Sequence, residues 1–159
     1  MIDFKIRYAK EDEAGLVLDF IKMLAEYEKM SDEVVADEKM IHDSIFVNKD
    51  AEVIFACEDE MPIGFALFFH NFSTFVGKKG LYLEDLFVIP EKRGLGYGKS
   101  LLMRLAEIAN ERNCDRFEWV CLNWNTPSIN FYKSLGAVPM NEWTTFRLSG
   151  DTLKKYSKK

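Results

Sequence analysis

Residues 81–100 read LYLEDLFVIPEKRGLGYGKS and join a β-rich apolar run to a glycine-rich turn. Pro90 ends the apolar run, because proline has no amide hydrogen to donate to a β-ladder. After the glycines, apolar residues recur at helical spacing through residues 98–113, GKSLLMRLAEIANERN. The stretch therefore predicts a strand, a turn and a helix in direct succession.

Two phosphate-binding patterns come close to fitting this turn, and both fail. The pattern G-x-x-x-x-G-K-[ST] matches GKS at 98–100 but requires glycine where Arg93 stands. The pattern G-x-G-x-x-G fits Gly94 and Gly96 but requires a third glycine where Lys99 stands. What remains is a flexible backbone that lets a ligand approach closely, followed by the partial positive charge of a helix amino end. Such a turn suits a pyrophosphate, and a turn used only for packing is the alternative.

The rest of the chain alternates between strand and helix periods. Strands are predicted at 4–9, 51–59, 62–72, 80–90, 116–124 and 143–149, and helices at 10–30, 37–47, 98–113 and 125–136. This order predicts an α/β fold with a mixed, mostly antiparallel central sheet, a β-α-β crossover, and helices on both faces. No repeat or linker interrupts it, so we expect a single domain over residues 1–159.

Composition excludes several classes of protein. The chain is 48% hydrophobic and 30% charged, as in a globular domain, and no apolar run approaches about 18 residues. The amino end, MIDFKIRYAKEDE, has no signal-peptide pattern, which predicts a cytoplasmic protein without a membrane partner. A net charge of -5 argues against nucleic acid. Three cysteines and two histidines without ligand spacing predict neither disulfides nor a metal site.

The negative charge is concentrated in residues 31–60, which carry ten acidic residues against two lysines. An acidic segment beside a cleft would concentrate a cationic ligand through its field. An ordinary solvated face is the alternative interpretation.

Written by position, Arg93-x-x-Gly96-x-Gly98 resembles the coenzyme A pyrophosphate loop of the GNAT N-acetyltransferases. The segment NTPSINFYKSLGA, residues 125–137, is similar to that family's second cofactor segment. A narrower resemblance is to the diamine acetyltransferases that act on spermidine, spermine or related amines, and it is carried by LAEYEKM (24–30), LYLEDLFV (81–88), RGLGYG (93–98), NWN (123–125) and PSINFYKSLGA (127–137). It runs nearly end to end and implies a GNAT-like fold.

The resemblance implies acetyl-CoA as co-substrate, no metal, a small cationic amine as acceptor, and a homodimer. The strand backbone of Leu86, Phe87 and Val88 would face the pantetheine arm. The pyrophosphate would be held by the main chain of Arg93, Gly94, Leu95, Gly96, Tyr97, Gly98 and Lys99. The other side of coenzyme A would be lined by Asn125, Thr126, Pro127 and Ser128.

Acetyl transfer needs a neutral nitrogen, and a free amine with a pKa near 10.4 is almost wholly protonated at neutral pH. A carboxylate is the expected proton acceptor. Glu84 is the candidate, because it lies in an otherwise apolar strand, where an acid without a purpose is costly. By resemblance it contacts the amine and takes its proton directly or through water, or only anchors the cation. The alternatives are that Glu84 faces solvent while Asp85 faces inward, or that Glu84 pairs with a structural arginine.

Tyr132 resembles the family's proton donor to the coenzyme A sulfur. Its phenol would hydrogen-bond the charge that develops on the departing thiolate. Ile129, Tyr132 and Leu135 share one helical face, so a core aromatic is the alternative. Direct attack by the amine is expected, and no cysteine nucleophile is required.

Substrate contacts are implied for Tyr27 and Glu28 at the end of the first long helix, for Asp85, and for Glu118 with Trp119. The subfamily has a further acid before its last strand, where this chain has Thr144, with Glu142 displaced by two. That departure weakens the expectation of spermine specificity more than that of acetyl transfer. The predicted function is acetylation of a polyamine or similar small amine. The alternatives are a thialysine-like, lysine-like or protein amine, or a non-catalytic acyl-CoA-binding module.

Overall fold

The computed structural model describes residues 1–157. They form two compact units, of which the first is Met1–Val120 and the second begins at Cys121. Each unit is described separately below. The expectation of one domain over residues 1–159 stays a prediction.

The first unit contains a five-stranded sheet whose spatial order is its sequence order. The strands are β1 (Phe4–Tyr8), β2 (Glu52–Glu58), β3 (Met61–Ser73), β4 (Lys78–Val88) and β5 (Phe117–Trp119). The first four pair antiparallel, whereas β4 and β5 pair parallel. The predicted mixed, mostly antiparallel sheet is therefore confirmed.

Four of the five helices correspond to predicted helical segments, and the fifth, at residues 150–154, was not predicted. They are α1 (Ala14–Tyr27), α2 (Glu38–His42), α3 (Tyr97–Glu111), α4 (Thr126–Ser134) and α5 (Gly150–Lys154), and a π-helical turn, Asp43–Val47, extends α2. Asp37 caps α2 by accepting a hydrogen bond from the Met40 amide at 2.8 Å. Helix α3 joins the two parallel strands and is the predicted β-α-β crossover. None of the described helices combines the length and apolarity needed to cross a bilayer.

One face of the sheet packs against α1. Val17, Phe20 and Leu24 recur at intervals of three and four residues, so they share one side of the helix and are buried. The Phe20 ring lies 5.3 Å from the ring of Phe65 and 5.8 Å from that of Phe55. Burying each ring contributes about 2–3 kcal/mol, so this contact fixes α1 on the sheet.

The opposite face of the sheet is covered by α3. Val53 and Phe55 of β2 pack with α1 in one buried hydrophobic cluster, called here the cluster under α1. Because successive side chains of a strand point to opposite faces, Glu52 points to the other face of the sheet. Arg112, immediately after α3, grips Glu52 with two hydrogen bonds of 2.6 and 2.9 Å. Helices therefore flank both faces, as predicted.

A β-bulge interrupts the pairing of β3 with β4. Leu67 pairs with Asp85 and Phe68 pairs with Leu83, which leaves Glu84 without a partner on β3. Strand β5 pairs with β4 only from Leu81 to Leu83. The bulge and the end of the β4–β5 ladder thus coincide.

The second unit is built around α4. Asn125 caps this helix, and Gly136, with φ of 92°, ends it in the left-handed conformation that glycine tolerates best. The predicted strand at 143–149 is wrong, because these exposed residues have no ladder partner among the described residues. The predicted strand at 116–124 is also too long, since β5 stops at Trp119.

Candidate active site

Three carboxylates meet where the end of α1 approaches the β4 bulge. Asp85 is half-buried and shares the sheet face of Phe87, two residues on, which packs in the cluster under α1. Glu28 is the C-cap of α1 and is half-buried, whereas Glu84 is exposed. The two adjacent acids of β4 therefore have different surroundings, and the bulge sets which of them faces α1.

In this acid cluster, defined as Glu28, Glu84 and Asp85, the surroundings oppose the ionisation of Glu28 and Asp85. Burial, followed by the charges of Glu84 and Glu28, raises the pKa of Asp85 to about 7. Burial and then the Glu84 charge raise the pKa of Glu28 above its usual value. The carboxyl end of a helix also disfavours negative charge, which adds to the cost at Glu28.

The acid cluster has no salt-bridge partner among the described residues. Within residues 1–157, no salt bridge involves any of the three carboxylates. A cation that binds between crowded carboxylates offsets their mutual repulsion. A carboxyl group with a pKa near 7 can also accept a proton at neutral pH. The arrangement is therefore suited to bind an ammonium group and to remove its proton.

Glu84, the candidate proton acceptor, is exposed in the structure, and its catalytic role stays a prediction. The structure matches the alternative interpretation, in which Glu84 faces solvent and Asp85 faces inward. Strict alternation of side chains along β4 does not predict which acid faces inward. The unpaired residue of the bulge moves every later side chain to the opposite face of the sheet. The adjacent acids in an apolar strand were a usable signal, but the register of β3 was required to tell them apart.

Tyr27, at the end of α1, lies beside the beginning of the glycine turn. The Arg93 guanidinium lies 4.9 Å from the centre of the Tyr27 ring and 5.0 Å from that of Phe87. Its Nε donates a 2.9 Å hydrogen bond to the carbonyl of Val88. The structure thus brings a residue expected to contact substrate next to one expected to contact the cofactor.

The glycine turn has an open backbone with two left-handed residues. Gly94 and Gly96 have φ of 80° and 86°, a conformation that side chains disfavour. A Cβ placed on either residue would meet no atom within 4 Å, so the surface above the turn is open. Helix α3 begins at Tyr97, and the first amides of a helix have no acceptor within it. Pyrophosphate oxygens fit such a turn.

Both sides of the glycine turn are tied to the last residue of β2. The Lys92 Nζ lies 2.6 Å from the Glu58 carboxylate, and the Tyr97 hydroxyl donates a hydrogen bond to the same carboxylate. The Tyr97 ring also stacks on Phe4 at 4.7 Å. Sequence reasoning missed Glu58, although an acid that closes the apolar run VIFAC was a usable signal.

The strand proposed for the pantetheine arm continues from the bulge to the turn. Leu86 is half-buried, while Phe87 and Val88 are buried. Because β5 pairs with β4 only as far as Leu83, these three residues lie beyond the end of that ladder. Leu95 lies on the turn and Lys99 lies in the first part of α3, and both are exposed.

Glu118 and Trp119 lie on β5, where it runs beside β4. Glu118 is opposite Tyr82 in register and accepts a 3.2 Å hydrogen bond from the Asn71 side chain. Burial raises the pKa of the Tyr82 phenol, and the negative charges of Glu84 and Glu118 raise it further. The Trp119 ring lies 4.9 Å from that of Phe117. Glu118 is thus held by a partner of its own.

The remaining candidate residues belong to the second unit. Thr126, Pro127 and Ser128 form the first turn of α4, and the Asn125 side chain accepts a 3.4 Å hydrogen bond from the Ser128 amide. Tyr132 is half-buried, and its ring lies 5.7 Å from that of Phe131. The roles of these five candidates stay predictions.

The acidic segment 31–60 contributes no residue to the acid cluster. Glu52 and Glu58 pair with Arg112 and Lys92, and two further acids of the segment pair with lysines. In the described part of the chain, the acid cluster included, no group of three His, Cys, Asp or Glu side chains could hold a metal ion.

Comparison with known proteins gives a consistent result. The family model described as Acetyltransferase (GNAT) family matches residues 18–137. The thialysine N-epsilon-acetyltransferase of Sus scrofa is 34% identical over 171 residues and covers 100% of each chain. The spermidine/spermine N(1)-acetyltransferase-like protein 1 of Homo sapiens is 31% identical over 166 residues, which are 94% of this chain and 23% of that protein.

A solved structure shows the same fold. An integron cassette protein from the mobile metagenome of V. cholerae matches with a TM-score of 0.80 at 30% identity and covers 98% of each chain. The matched family region, residues 18–137, includes the acid cluster, the glycine turn and the first turn of α4.

Proposed function

This chain belongs to the GNAT family of N-acetyltransferases, and on that premise we propose that it acetylates the terminal primary amine of a small, lysine-like amino acid. The full-length similarity to a protein named for thialysine supports this acceptor. Thr144, where the diamine enzymes have an acid, also favours an acceptor with fewer positive charges than spermine.

The acid cluster carries the proposal. Its charges are uncompensated by any salt bridge within residues 1–157, and Asp85 has a pKa of about 7. A substrate ammonium would satisfy the carboxylates, and binding would place its proton within their reach. Buried acids kept without a partner are a feature of functional sites.

Acetyl-CoA supplies an acetyl thioester. The amides around Gly94 and Gly96, with the amino end of α3, would hold its pyrophosphate. The strand residues Leu86–Val88 would face its pantetheine arm, and a contact of Asn125–Ser128 with the cofactor stays what the family resemblance implies. Arg93, fixed by its hydrogen bond to Val88, would hold the entry to the turn rigid.

The chemistry assigns different tasks to the two adjacent acids. Exposed Glu84 would draw in the ammonium, while half-buried Asp85, with its raised pKa, would accept the proton. The nitrogen lone pair would then form a bond to the acetyl carbon, and the nitrogen would release its second proton to solvent as the carbon–sulfur bond breaks. Tyr132 would give its proton to the departing sulfur and regain one from solvent. The products are the N-acetylated amine and coenzyme A.

The test is a substrate panel. Purified protein is mixed with acetyl-CoA and with thialysine, lysine, ornithine, putrescine, spermidine or spermine, while free thiol is measured and products are identified by mass. We expect thiol release with the amino acids, and acetylation at the terminal amine. Folded protein that releases no thiol with any acceptor would contradict the proposal.

A second acceptor class is favoured by the number of acids in the cluster. Three carboxylates exceed what one ammonium neutralises, which suits a polyamine, and the similarity to the human spermidine/spermine-like protein agrees. A higher kcat/KM for spermidine than for thialysine would establish this alternative. Coenzyme A binding without any turnover would instead indicate a non-catalytic module.

Tyr132→Phe tests the proton donor. Without the hydroxyl, the departing thiolate loses its proton source, and we expect kcat to fall on the order of 10²-fold while the KM for the amine changes little. Tyr156→Phe is the matched control, because Tyr156 is exposed and contacts Lys155. An unchanged kcat in Tyr132→Phe would mean that Tyr132 only fills space.

Two expectations stay predictions. The homodimer implied by the diamine acetyltransferase resemblance is testable by sedimentation of the purified chain. The cytoplasmic location is testable by cell fractionation.

A further inference from the structure

Glu58 is a buried acid that the proposed reaction does not use. It is the last residue of β2, and 7% of its surface is exposed. Buried carboxylates are costly unless they are paired and hydrogen-bonded. Glu58 meets both conditions through residues on the two sides of the glycine turn, Lys92 before it and Tyr97 after it.

A second contact reinforces the same attachment. Phe4 of β1 is opposite Glu58 in register, and the Phe4 ring stacks on Tyr97 with 4° between the ring planes. The β1–β2 pair therefore supplies both the acceptor for the Tyr97 hydroxyl and the surface under its ring. The hydrogen bonds of Lys92 and Tyr97 lower the pKa of Glu58, so the acceptor is charged at neutral pH.

The turn between these attachments is intrinsically flexible. Gly94 and Gly96 lose more conformational freedom on ordering than other residues, and that loss would weaken binding if it occurred when the ligand arrived. A turn that is held at both ends loses this conformational freedom when the protein folds, before any ligand binds. Its amides can then converge on one point before a diphosphate is present.

We propose that Glu58 is a positioning residue for acetyl-CoA, which holds Lys92 and Tyr97 so that the turn at 93–96 keeps its diphosphate-binding shape. The inference rests on the proposed cofactor site at that turn. Glu58 acts on affinity for the cofactor and does not touch the reacting atoms. Lys92 serves here as an internal partner and not as a phosphate ligand.

Two variants test this role. Glu58→Gln keeps the shape of the side chain but removes the charge, and we expect the Kd of coenzyme A and the KM of acetyl-CoA to rise roughly tenfold. Tyr97→Phe keeps the ring on Phe4 and removes only the hydroxyl, so we expect a smaller rise of about threefold. The kcat at saturating acetyl-CoA should stay unchanged in both.

Glu60→Gln is the matched control. Glu60 follows β2 by two residues, is exposed, and pairs with Lys5, so its loss removes the same charge without touching the turn. We expect no change in Kd. The double variant Glu58→Gln with Lys92→Met should bind no worse than Glu58→Gln alone, because the two residues act through one contact.

Coenzyme A binding is measured by calorimetry, and folding is checked by circular dichroism. Wild-type protein that fails to bind coenzyme A would overturn the proposed cofactor site itself. Wild-type binding with equal or tighter binding by Glu58→Gln would overturn the positioning role alone. If Glu58→Gln does not fold, Tyr97→Phe decides: an unchanged Kd contradicts the proposal, and a raised Kd supports it.

Discussion

Strands β2 and β4 both carry acids, but the fold treats them in opposite ways. Glu52 and Glu58 of β2 pair with Arg112 and Lys92, and these partners lower the pKa of each carboxyl. On β4, burial and neighbouring acids raise the pKa of Asp85 to about 7. Within residues 1–157, the two β2 acids therefore have cationic partners, whereas Asp85 of β4 has no salt bridge.

This contrast predicts opposite dependences of stability on pH. The folded pKa of Glu52 lies below its unfolded value, so its stabilisation is present above the unfolded pKa and is lost as pH falls through the folded one. The folded pKa of Asp85 lies above its unfolded value. Its contribution is therefore most favourable at low pH and is lost as pH rises from about 4 to about 7.

The largest expected effect is the loss of activity in Asp85→Asn. The amide is nearly isosteric but cannot accept the ammonium proton, so we expect kcat/KM to fall on the order of 10²-fold or more. Asp19→Asn, on an exposed position of α1, is the control and should leave kcat/KM unchanged. Full activity in Asp85→Asn would abolish the functional distinction between the two strands.

The pH profile of kcat/KM sharpens the comparison. We expect the wild-type value to rise about tenfold per pH unit below about 7 and to level off above it, as Asp85 becomes ionised. Glu84→Gln removes the neighbouring charge that raises the pKa of Asp85 more, so the inflection should move to lower pH. Glu28→Gln should move it in the same direction by less. An inflection that neither variant moves would assign the titration to another group.

Stability should respond to Asp85→Asn in the direction opposite to activity. Removing a charge from crowded acids is expected to raise the free energy of unfolding at pH 8 by on the order of 1 kcal/mol. At pH 4 the wild-type carboxyl is largely protonated in the folded state, and the two proteins should be about equally stable. Urea unfolding at both pH values measures this, and a destabilised variant at pH 8 would contradict the cluster electrostatics.

The smallest expected effect is at β2. Glu52→Gln breaks the two-bond contact with Arg112, and because Glu52 is partly exposed we expect a loss of only about 1 kcal/mol at pH 7, with kcat/KM unchanged. The difference should shrink as pH falls through the folded pKa of Glu52, which the Arg112 hydrogen bonds hold below its usual value. Glu107→Gln, which breaks a more exposed contact with Arg104, is the control.

Local patterns predicted much of the fold. The helical spacing of Val17, Phe20 and Leu24, the cap at Asp37 and the stop at Gly136 each involve interactions within a few residues, so they are readable along the chain. The failure at 143–149 has the opposite cause. A strand exists only if another strand pairs with it, and alternation alone does not supply that partner.

The sequence by itself determined the glycine turn and the helix that follows it, because positive φ at Gly94 and Gly96 and the amides that begin a helix are properties of a few adjacent residues. Only the tertiary structure decided that Asp85 faces inward and that Glu58 holds the turn. Inward direction depends on the register between two strands, and the Glu58 contacts join residues more than thirty positions apart. Neither is encoded in any short stretch of sequence, since both depend on which surfaces the folded sheet brings together.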